Sequence, residues 1–178
     1  MVQTRKENER TTLTEDEKKI MILLENDAKK SIDQISKSCG FSRQKVWRII
    51  KKLEDEKIIW GYTTVSDASE QNLKHFMVLV KRNNVPFDQE VKKEIIFRKI
   101  DDYTAGIVKI ENIYFTHGVS DWVFTFYAPD IIAAKRFVDR TFERFSKYLQ
   151  EYTIVETLVT IRKNSMKNPH LEELSQYL

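Results

Sequence analysis

In residues 13–66 the apolar positions recur at the spacing of α-helices. A helix N-cap signal precedes each of three stripes, at Thr14, Ser31 and Ser42, and the first two are followed three residues later by Glu or Gln, which completes a capping box. Gly40 provides the left-handed residue that ends the second helix just before the third. The positions expected to share a core are Ile20, Leu23, Leu24, Ile35, Phe41, Val46, Ile50 and Leu53. The pattern predicts a trihelical helix-turn-helix domain over residues 13–66.

The segment after the third helix, KIIWGYTTVSD, is extended in character. We expect Ile58 and Ile59 to close the core and the following residues to form either a wing or a strand that leads onward. Residues 67–74 are polar without an apolar period, which is typical of a linker. Residues 1–12 are polar and are predicted to form a flexible arm, and residues 164–178 a C-terminal extension with a short helix from Pro169.

The second half of the chain changes to the pattern of strands and helices in alternation. Strands are predicted over residues 75–81, 107–116, 122–127 and 154–162, with helices beginning near Pro86 and Pro129. The order β-α-β-β-α-β predicts a ferredoxin-like domain with an antiparallel sheet over residues 75–163, and the whole chain is therefore assigned to the α+β class. Met77 and Leu79 make the first strand apolar on both faces. Because two helices cover only one face of the sheet, we expect a second copy on the other, and hence a homodimer.

Composition and charge reduce the number of functional classes that fit the chain. The chain has 178 residues, 41% of them hydrophobic, and a formal net charge of only +3. Residues 1–66 hold 14 Lys and Arg against 11 Asp and Glu, whereas the remainder is balanced, so the excess lies in the helix-turn-helix half. The lone Cys39 excludes an intrachain disulfide and is expected to be a small core residue. No leader or apolar run of membrane length is present, so we expect a cytoplasmic protein without a membrane partner.

The third helix has the composition of a recognition helix for double-stranded DNA. Between residues 42 and 52 it holds five basic residues and no acidic one. Cations in its first turn oppose the helix dipole, and phosphates from a nucleic acid would resolve this conflict. We expect base contacts from the N-terminal turns and phosphate contacts from the later lysines. The predicted DNA-binding residues are Ser42, Arg43, Gln44, Lys45, Arg48, Lys51 and Lys52.

The sequence gives little support to an enzyme. Its three histidines, His75, His117 and His170, form no pair with metal-ligand spacing, and no Cys/His or Ser/His motif is present. We predict no catalytic residue, no metal ligand and no cofactor. A protein-interaction module built on a helix-turn-helix is a further alternative, which the basic third helix disfavours.

Two stretches resemble the Lrp/AsnC family of transcription regulators: FSRQKVWRIIKKLEDEKIIWGY and HGVSDWVFTF. The resemblance covers roughly residues 13–163. It implies a helix-turn-helix joined to a ferredoxin-like domain, dimers that assemble into tetramers or octamers, and binding to pseudo-palindromic promoter DNA. It also implies an amino-acid effector near the hairpin turn, with Gly118, Ser120 and Asp121 as effector-binding residues.

Two alternatives remain open beside this resemblance. Some haem-pathway decarboxylases are similar in their two-domain plan, so the fold by itself does not exclude an enzyme. The second alternative is an architectural DNA-binding protein that responds to no effector. The chain also departs from the family pattern at Ile49, where an Arg is usual, in a longer stretch over residues 98–109, and in its tail.

Overall fold

The computed structural model describes residues 12–96, 106 and 108–172. The predicted arm, apart from Thr12, most of the 98–109 stretch and the end of the tail lie outside these residues. The chain divides into two compact units. The first comprises residues up to 65 together with 162–167, and the second comprises residues 66–161 with those from 168 onward.

Three helices form the first unit, at the positions that the cap signals predict. They are α1 (Glu15–Asn26), α2 (Ile32–Cys39) and α3 (Arg43–Asp55). Complete capping boxes start α1 and α2, and the Ser42 hydroxyl accepts a hydrogen bond from the backbone of Lys45 at the start of α3. Gly40 ends α2 with a φ of 70°, a conformation that favours glycine.

The core of the first unit is formed by the three apolar stripes. Its buried members are Ile20, Leu24, Ile35 and Val46. Partly buried residues pack around them, including Cys39 and Phe41, as expected, and Ile59. Residues 60–66 form neither a helix nor a strand. The alternative of a strand leading onward is therefore wrong at this position. Trp60, the first residue of this segment, is 94% exposed.

A short hairpin also belongs to the first unit, and the sequence pattern did not predict it. Strands β5 (Arg162–Lys163) and β6 (Met166–Lys167) pair in antiparallel register. Asn164 and Ser165 connect them with φ values of 45° and 66°, the positive values that a two-residue type I′ turn requires. The compact first unit thus includes residues that straddle the predicted boundary between the ferredoxin-like domain and the extension.

The second unit is an antiparallel sheet with helices, in the predicted β-α-β-β-α-β order. Its strands are β1 (Lys74–Arg82), β2 (Lys109–Phe115), β3 (Trp122–Ala128) and β4 (Leu149–Glu156), and they lie in the order β2-β3-β1-β4. Its helices are α4 (Gln89–Ile96) and α5 (Ile131–Arg144). A short 3-10 helix, Ser69–Gln71, occupies the predicted linker. This arrangement confirms the α+β class and the ferredoxin-like plan.

One face of this sheet carries the core of the second unit. The inward side chains of β1 and β3 alternate with outward ones, and they pack with apolar residues from both helices. Fully buried members include Phe76, Val78, Phe124, Phe126 and Val138. On the opposite face, Met77 pairs with Thr125 and Val155, and Leu79 pairs with Val123 and Thr153. That face retains partly exposed apolar side chains, as predicted.

The predicted fourth strand is present, but its predicted bounds, residues 154–162, are wrong. The strand begins at Leu149 and ends at Glu156, in register with β1 so that Ile154 lies opposite Val78. Its first half, LQEYT, is too polar to reveal a strand by its pattern, whereas the apolar Leu158, Val159 and Ile161 lie beyond the last pairing, at Glu156. Pairing with β1 therefore determines where β4 begins and ends, whereas the local sequence pattern does not.

Candidate nucleic-acid interface and hairpin site

The outward face of α3 is built by helical spacing. Val46 and Leu53 are buried and hold the helix against the first core. The residues on the opposite side, spaced by one, three or four positions, project together into solvent. They are Arg43, Gln44, Trp47, Arg48 and Lys51. We refer to these five residues as the α3 face.

Two cations of the first turn have carboxylate partners within the domain. Arg43 Nε lies 2.7 Å from Asp33 Oδ1 on α2, and Lys45 Nζ lies 2.7 Å from Asp16 Oδ2 on α1. Lys45 Nζ also lies 4.0 Å from the centroid of the Phe41 ring. Contrary to the prediction, the first turn does not depend on external phosphates, because protein carboxylates already compensate both charges.

Lys52 connects α3 to α1. Its Nζ donates to Glu17 Oε1 at 2.8 Å, while the Glu17 side chain is only 8% exposed. The same carboxylate accepts the backbone N–H of Thr14 through Oε2, which forms the α1 capping box. The hydrogen bond from Lys52 is the main cause that lowers the pKa of Glu17, and the same pair raises the pKa of Lys52. Lys52, predicted as a phosphate contact, thus has a structural role within the domain.

Arg48 and Lys51 are the cations of α3 with no ion pair to any residue that the structure describes. Arg48 Nε donates to the Gln44 backbone carbonyl at 3.4 Å, which is a long hydrogen bond. Lys51 Nζ lies 5.1 Å from the Trp47 ring centroid. Both charges are exposed and available to an anionic partner.

A cleft of about 430 Å³ opens beside this face. It is lined by Ile32 from the start of α2 and by Arg43, Gln44, Trp47 and Arg48. Three predicted DNA-binding residues therefore meet around one depression. Trp47 and Ile32 were not predicted, although the position of Trp47 one turn after Arg43 on α3 could have indicated it. Ile32 belongs to α2, and its place in the lining depends on how the two helices pack.

The hairpin between β2 and β3 contains the predicted effector residues, and here the structure places Asp121 in a network. Its Oδ2 accepts the backbone N–H of Arg82 at 2.9 Å and lies 3.2 Å from Lys81 Nζ. The backbone N–H of Arg82 is the main cause that lowers the pKa of Asp121. The backbone N–H of Asp121 donates to the Val80 carbonyl. Asp121 therefore fixes the hairpin to the end of β1.

Gly118 and Ser120 form the rest of this turn. Gly118 has a φ of 150°, and an added Cβ would meet no atom within 4 Å, so no close backbone approach requires a glycine there. The Thr116 hydroxyl donates to the Ser120 carbonyl at 2.6 Å. The three predicted effector residues are thus brought together in one turn, where Asp121 Oδ1 accepts no hydrogen bond from the described residues.

A polar cluster on the helix-free face of the sheet was not predicted. A β-bulge between Ile110 and Asn112 places the Glu111 carboxylate among donors from neighbouring strands. Thr125 and Tyr127 donate to it at 3.0 Å, and His75 Nε2 lies 3.1 Å away. His75, near the start of β1, is therefore a partly buried member of a hydrogen-bonded cluster.

Two observations concern other classes of site. Among the described residues, no group of three or more His, Cys, Asp or Glu is placed to hold a metal ion. Over the same part of the chain, none of the helices combines the length and apolarity needed to cross a bilayer.

Comparison with known proteins agrees with this geometry. The sequence model of a winged helix-turn-helix DNA-binding family matches residues 16–59, which contain all of α2 and α3. No curated protein matches the chain. Similar solved structures include an AsnC family transcriptional regulator from Agrobacterium tumefaciens, with 18% identity, a TM-score of 0.64, and coverage of 90% of this chain and 99% of the other.

Two further structures have the same fold. A transcriptional regulator from Neisseria meningitidis, solved in complex with L-Met, has 18% identity and a TM-score of 0.66 over 90% of this chain and 99% of the other. LrpC of B. subtilis has 19% identity and a TM-score of 0.62 over 85% and 98%. The chain therefore has a winged helix-turn-helix DNA-binding domain and the two-domain α+β fold of AsnC- and Lrp-type transcription regulators.

Proposed function

We propose that the protein is a sequence-specific transcription regulator that binds double-stranded DNA through α3. The observation that carries this proposal is the α3 face, where Arg43, Gln44 and Arg48 project from the N-terminal half of a helix-turn-helix second helix. Such a helix lies in the major groove with its N-terminal residues at the base edges. Arg48 and Gln44 offer the planar donors that read guanine and adenine, respectively.

The remaining charges suit the phosphate backbone. Lys51 follows one turn after Trp47 and is free of any carboxylate among the described residues, so it is the best-placed phosphate contact. Arg43 and Lys45 are exposed ion pairs, which contribute little to stability and exchange partners readily. We therefore include both in the DNA-binding set, together with Ser42 at the helix start. Lys52 is included with its contribution reduced by its bond to Glu17.

The proposal includes a homodimer or a higher even oligomer, such as a tetramer or octamer. Its support is the helix-free face of the second unit, where Met77, Leu79 and Val155 leave apolar surface partly exposed. A second copy of the same sheet would cover this surface through a two-fold contact. Two copies of α3 would then bind half-sites about one helical turn apart, roughly 34 Å.

Selection of binding sites from a random duplex library tests this function directly. The full chain should enrich a pseudo-palindromic sequence whose half-site centres lie about 10 base pairs apart. The affinity for that sequence should fall steeply with salt concentration, because phosphate contacts release counterions. Recovery of no preferred sequence would favour the architectural DNA binder, and the absence of DNA binding at low salt would reject the function.

We further propose that an amino acid modulates the regulator from the β2–β3 hairpin. The support is the turn itself, in which the unshared Oδ1 of Asp121 is placed to accept a hydrogen bond from an ammonium group. One protein of the same fold was solved with L-Met. An effector must bind one assembly or DNA-bound state more tightly than another, since equal affinity shifts no equilibrium.

The effector proposal is tested by thermal unfolding and sedimentation across the twenty amino acids and related metabolites. A ligand should raise the unfolding temperature and change the oligomer size of wild type. Asp121→Asn removes the charge but retains an oxygen for the Arg82 N–H, so it should fold and lose the response. Val119→Ala serves as a matched control for the turn, because Val119 lies in the same turn with an exposed side chain and is not among the predicted effector residues. A panel without any shift would reject effector control and leave DNA binding intact.

A further inference from the structure

Trp47 presents a large apolar side chain on the outward face of α3. It is 51% exposed and does not belong to the buried core of the first unit. Isolated apolar side chains on a protein surface are ordinary and need no partner. Trp47 differs from that case in its surroundings, because cations flank it along the helix and Lys51 Nζ lies 5.1 Å from its ring.

Trp47 forms one wall of the cleft beside the α3 face. Ile32 supplies a second apolar wall from the start of α2, while Arg43, Gln44 and Arg48 form the polar part of the lining. The site is thus a small apolar depression enclosed by groups that bind phosphates and base edges. An apolar partner helix would have to bury these charges, which is costly without matching acidic groups.

The chemistry of the major groove offers one apolar group to such a depression. Base edges there present hydrogen-bond donors and acceptors, and thymine adds a 5-methyl group. We propose that Trp47, with Ile32, receives a thymine 5-methyl group, which makes Trp47 a specificity-determining residue at one position of each half-site. This inference rests on the proposed DNA-binding function. It adds an apolar contact to one base, whereas the arginines and Gln44 read bases through hydrogen bonds.

The spacing along α3 supports simultaneous contacts. Trp47 lies four residues after Arg43 and three after Gln44, so the three side chains project from the same side of the helix over about one turn. A methyl group held between Trp47 and Ile32 would therefore lie next to the base edges within reach of Arg43 and Gln44. We expect the selected half-site to contain a thymine adjacent to the bases read by those residues.

The test uses the full-length protein and the DNA site that it selects from a random library. Each thymine of one half-site is replaced singly by uracil, which differs only in lacking the methyl group. Wild type should lose affinity by about fourfold at one position, the value expected for one buried methyl group. Trp47→Ala should bind uracil and thymine equally at that position, with measurements made at reduced salt so that its weakened binding stays in range.

Three controls test whether the lost preference is specific to Trp47 and to thymine. Trp60→Ala removes a tryptophan that is 94% exposed and lies outside α3, so it should retain the full preference for thymine. Trp47→Phe preserves an apolar ring and should retain part of the preference for thymine. Circular dichroism confirms that each variant is folded. Replacing cytosines by 5-methylcytosine should leave the affinity unchanged, and a gain there would overturn the assignment to thymine.

The inference is overturned when wild type binds every uracil site as tightly as the thymine site, or when Trp47→Ala keeps the thymine preference. Either result leaves DNA binding by α3 intact. Failure of wild type to bind any duplex would instead reject the proposed function itself, so the two failures are distinguishable.

Discussion

Lys52 Nζ on α3 lies 2.8 Å from Glu17 Oε1 on α1, and this contact joins the candidate recognition helix to the first helix of the domain. The lysine is half exposed, whereas the carboxylate is nearly buried. A buried carboxylate without its cation is costly, so the pair positions α3 rather than serving only as surface charge. It also shows that neighbouring lysines of one helix have different roles.

Replacing Lys52 should therefore reduce stability, whereas replacing Lys51 should not. We expect Lys52→Ala to lower the unfolding temperature by several degrees, because it leaves the buried Glu17 carboxylate without its cation. Lys51→Ala is the matched control, since Lys51 has no ion pair among the described residues. Differential scanning fluorimetry at neutral pH compares the two, and equal unfolding temperatures would contradict a structural role for Lys52.

The Glu17 pair also predicts a dependence of stability on pH. The pKa of Glu17 is lowered from its ordinary value of 4.5, chiefly by the hydrogen bond from Lys52. The charged form is therefore favoured in the folded state. Its stabilising contribution is present above about pH 4.5 and is lost as the pH falls through the lower, folded-state pKa. Unfolding temperatures of wild type should fall more steeply between about pH 5 and pH 3 than those of Glu17→Gln. Parallel curves would show that this carboxyl does not couple to folding.

Asp33 is expected to restrain DNA binding through its ion pair with Arg43. The carboxylate competes with phosphates for Arg43 and places a negative charge beside the α3 face. Asp33→Asn should raise affinity for all duplexes by about two- to fivefold, the range for one exposed ion pair. Asp27→Asn is the control, because Asp27 pairs with Lys30 and not with α3. Fluorescence anisotropy at a fixed salt concentration measures both, and a loss of affinity in Asp33→Asn would be inconsistent with this competition.

The helix-free face of the sheet should hold the oligomer together. Leu79→Lys would bury an unpaired charge in the proposed two-fold contact, and we expect it to convert a dimer into a monomer or to unfold the domain. Ile132→Lys provides the control, since Ile132 is exposed on α5 in the same unit. Sedimentation velocity at about 10 μM, with circular dichroism to detect unfolding, distinguishes these outcomes. A monomeric wild type at that concentration would contradict the homodimer.

Much of the fold could be predicted because local chemistry specifies it. Thr14, Ser31 and Ser42 cap their helices with side-chain oxygens, and Gly40 ends α2 at positive φ, so each boundary is encoded within a few residues. The short apolar run of β1 likewise indicates a strand that is apolar on both faces. These features depend on spacing along the chain, which a sequence displays directly.

The remaining features depend on residues that are distant in sequence. The bounds of β4 follow from pairing with β1, and the bulge that directs Glu111 toward His75 follows from pairing with β3. The Lys52–Glu17 contact joins positions 35 residues apart. For the same reason, composition alone assigned all the α3 cations to DNA, although the packing of three helices provides Arg43, Lys45 and Lys52 with carboxylates.

The most direct test of the central claim, that α3 reads DNA sequence, is the affinity of Gln44→Ala and Lys51→Ala for every single-base variant of the selected site. We predict that Gln44→Ala loses discrimination at one base position, by about 1–3 kcal/mol for a bidentate contact. Lys51→Ala should instead weaken all sites equally and reduce the salt slope by about 1. If both variants bind every site as wild type does, α3 is not the element that reads DNA.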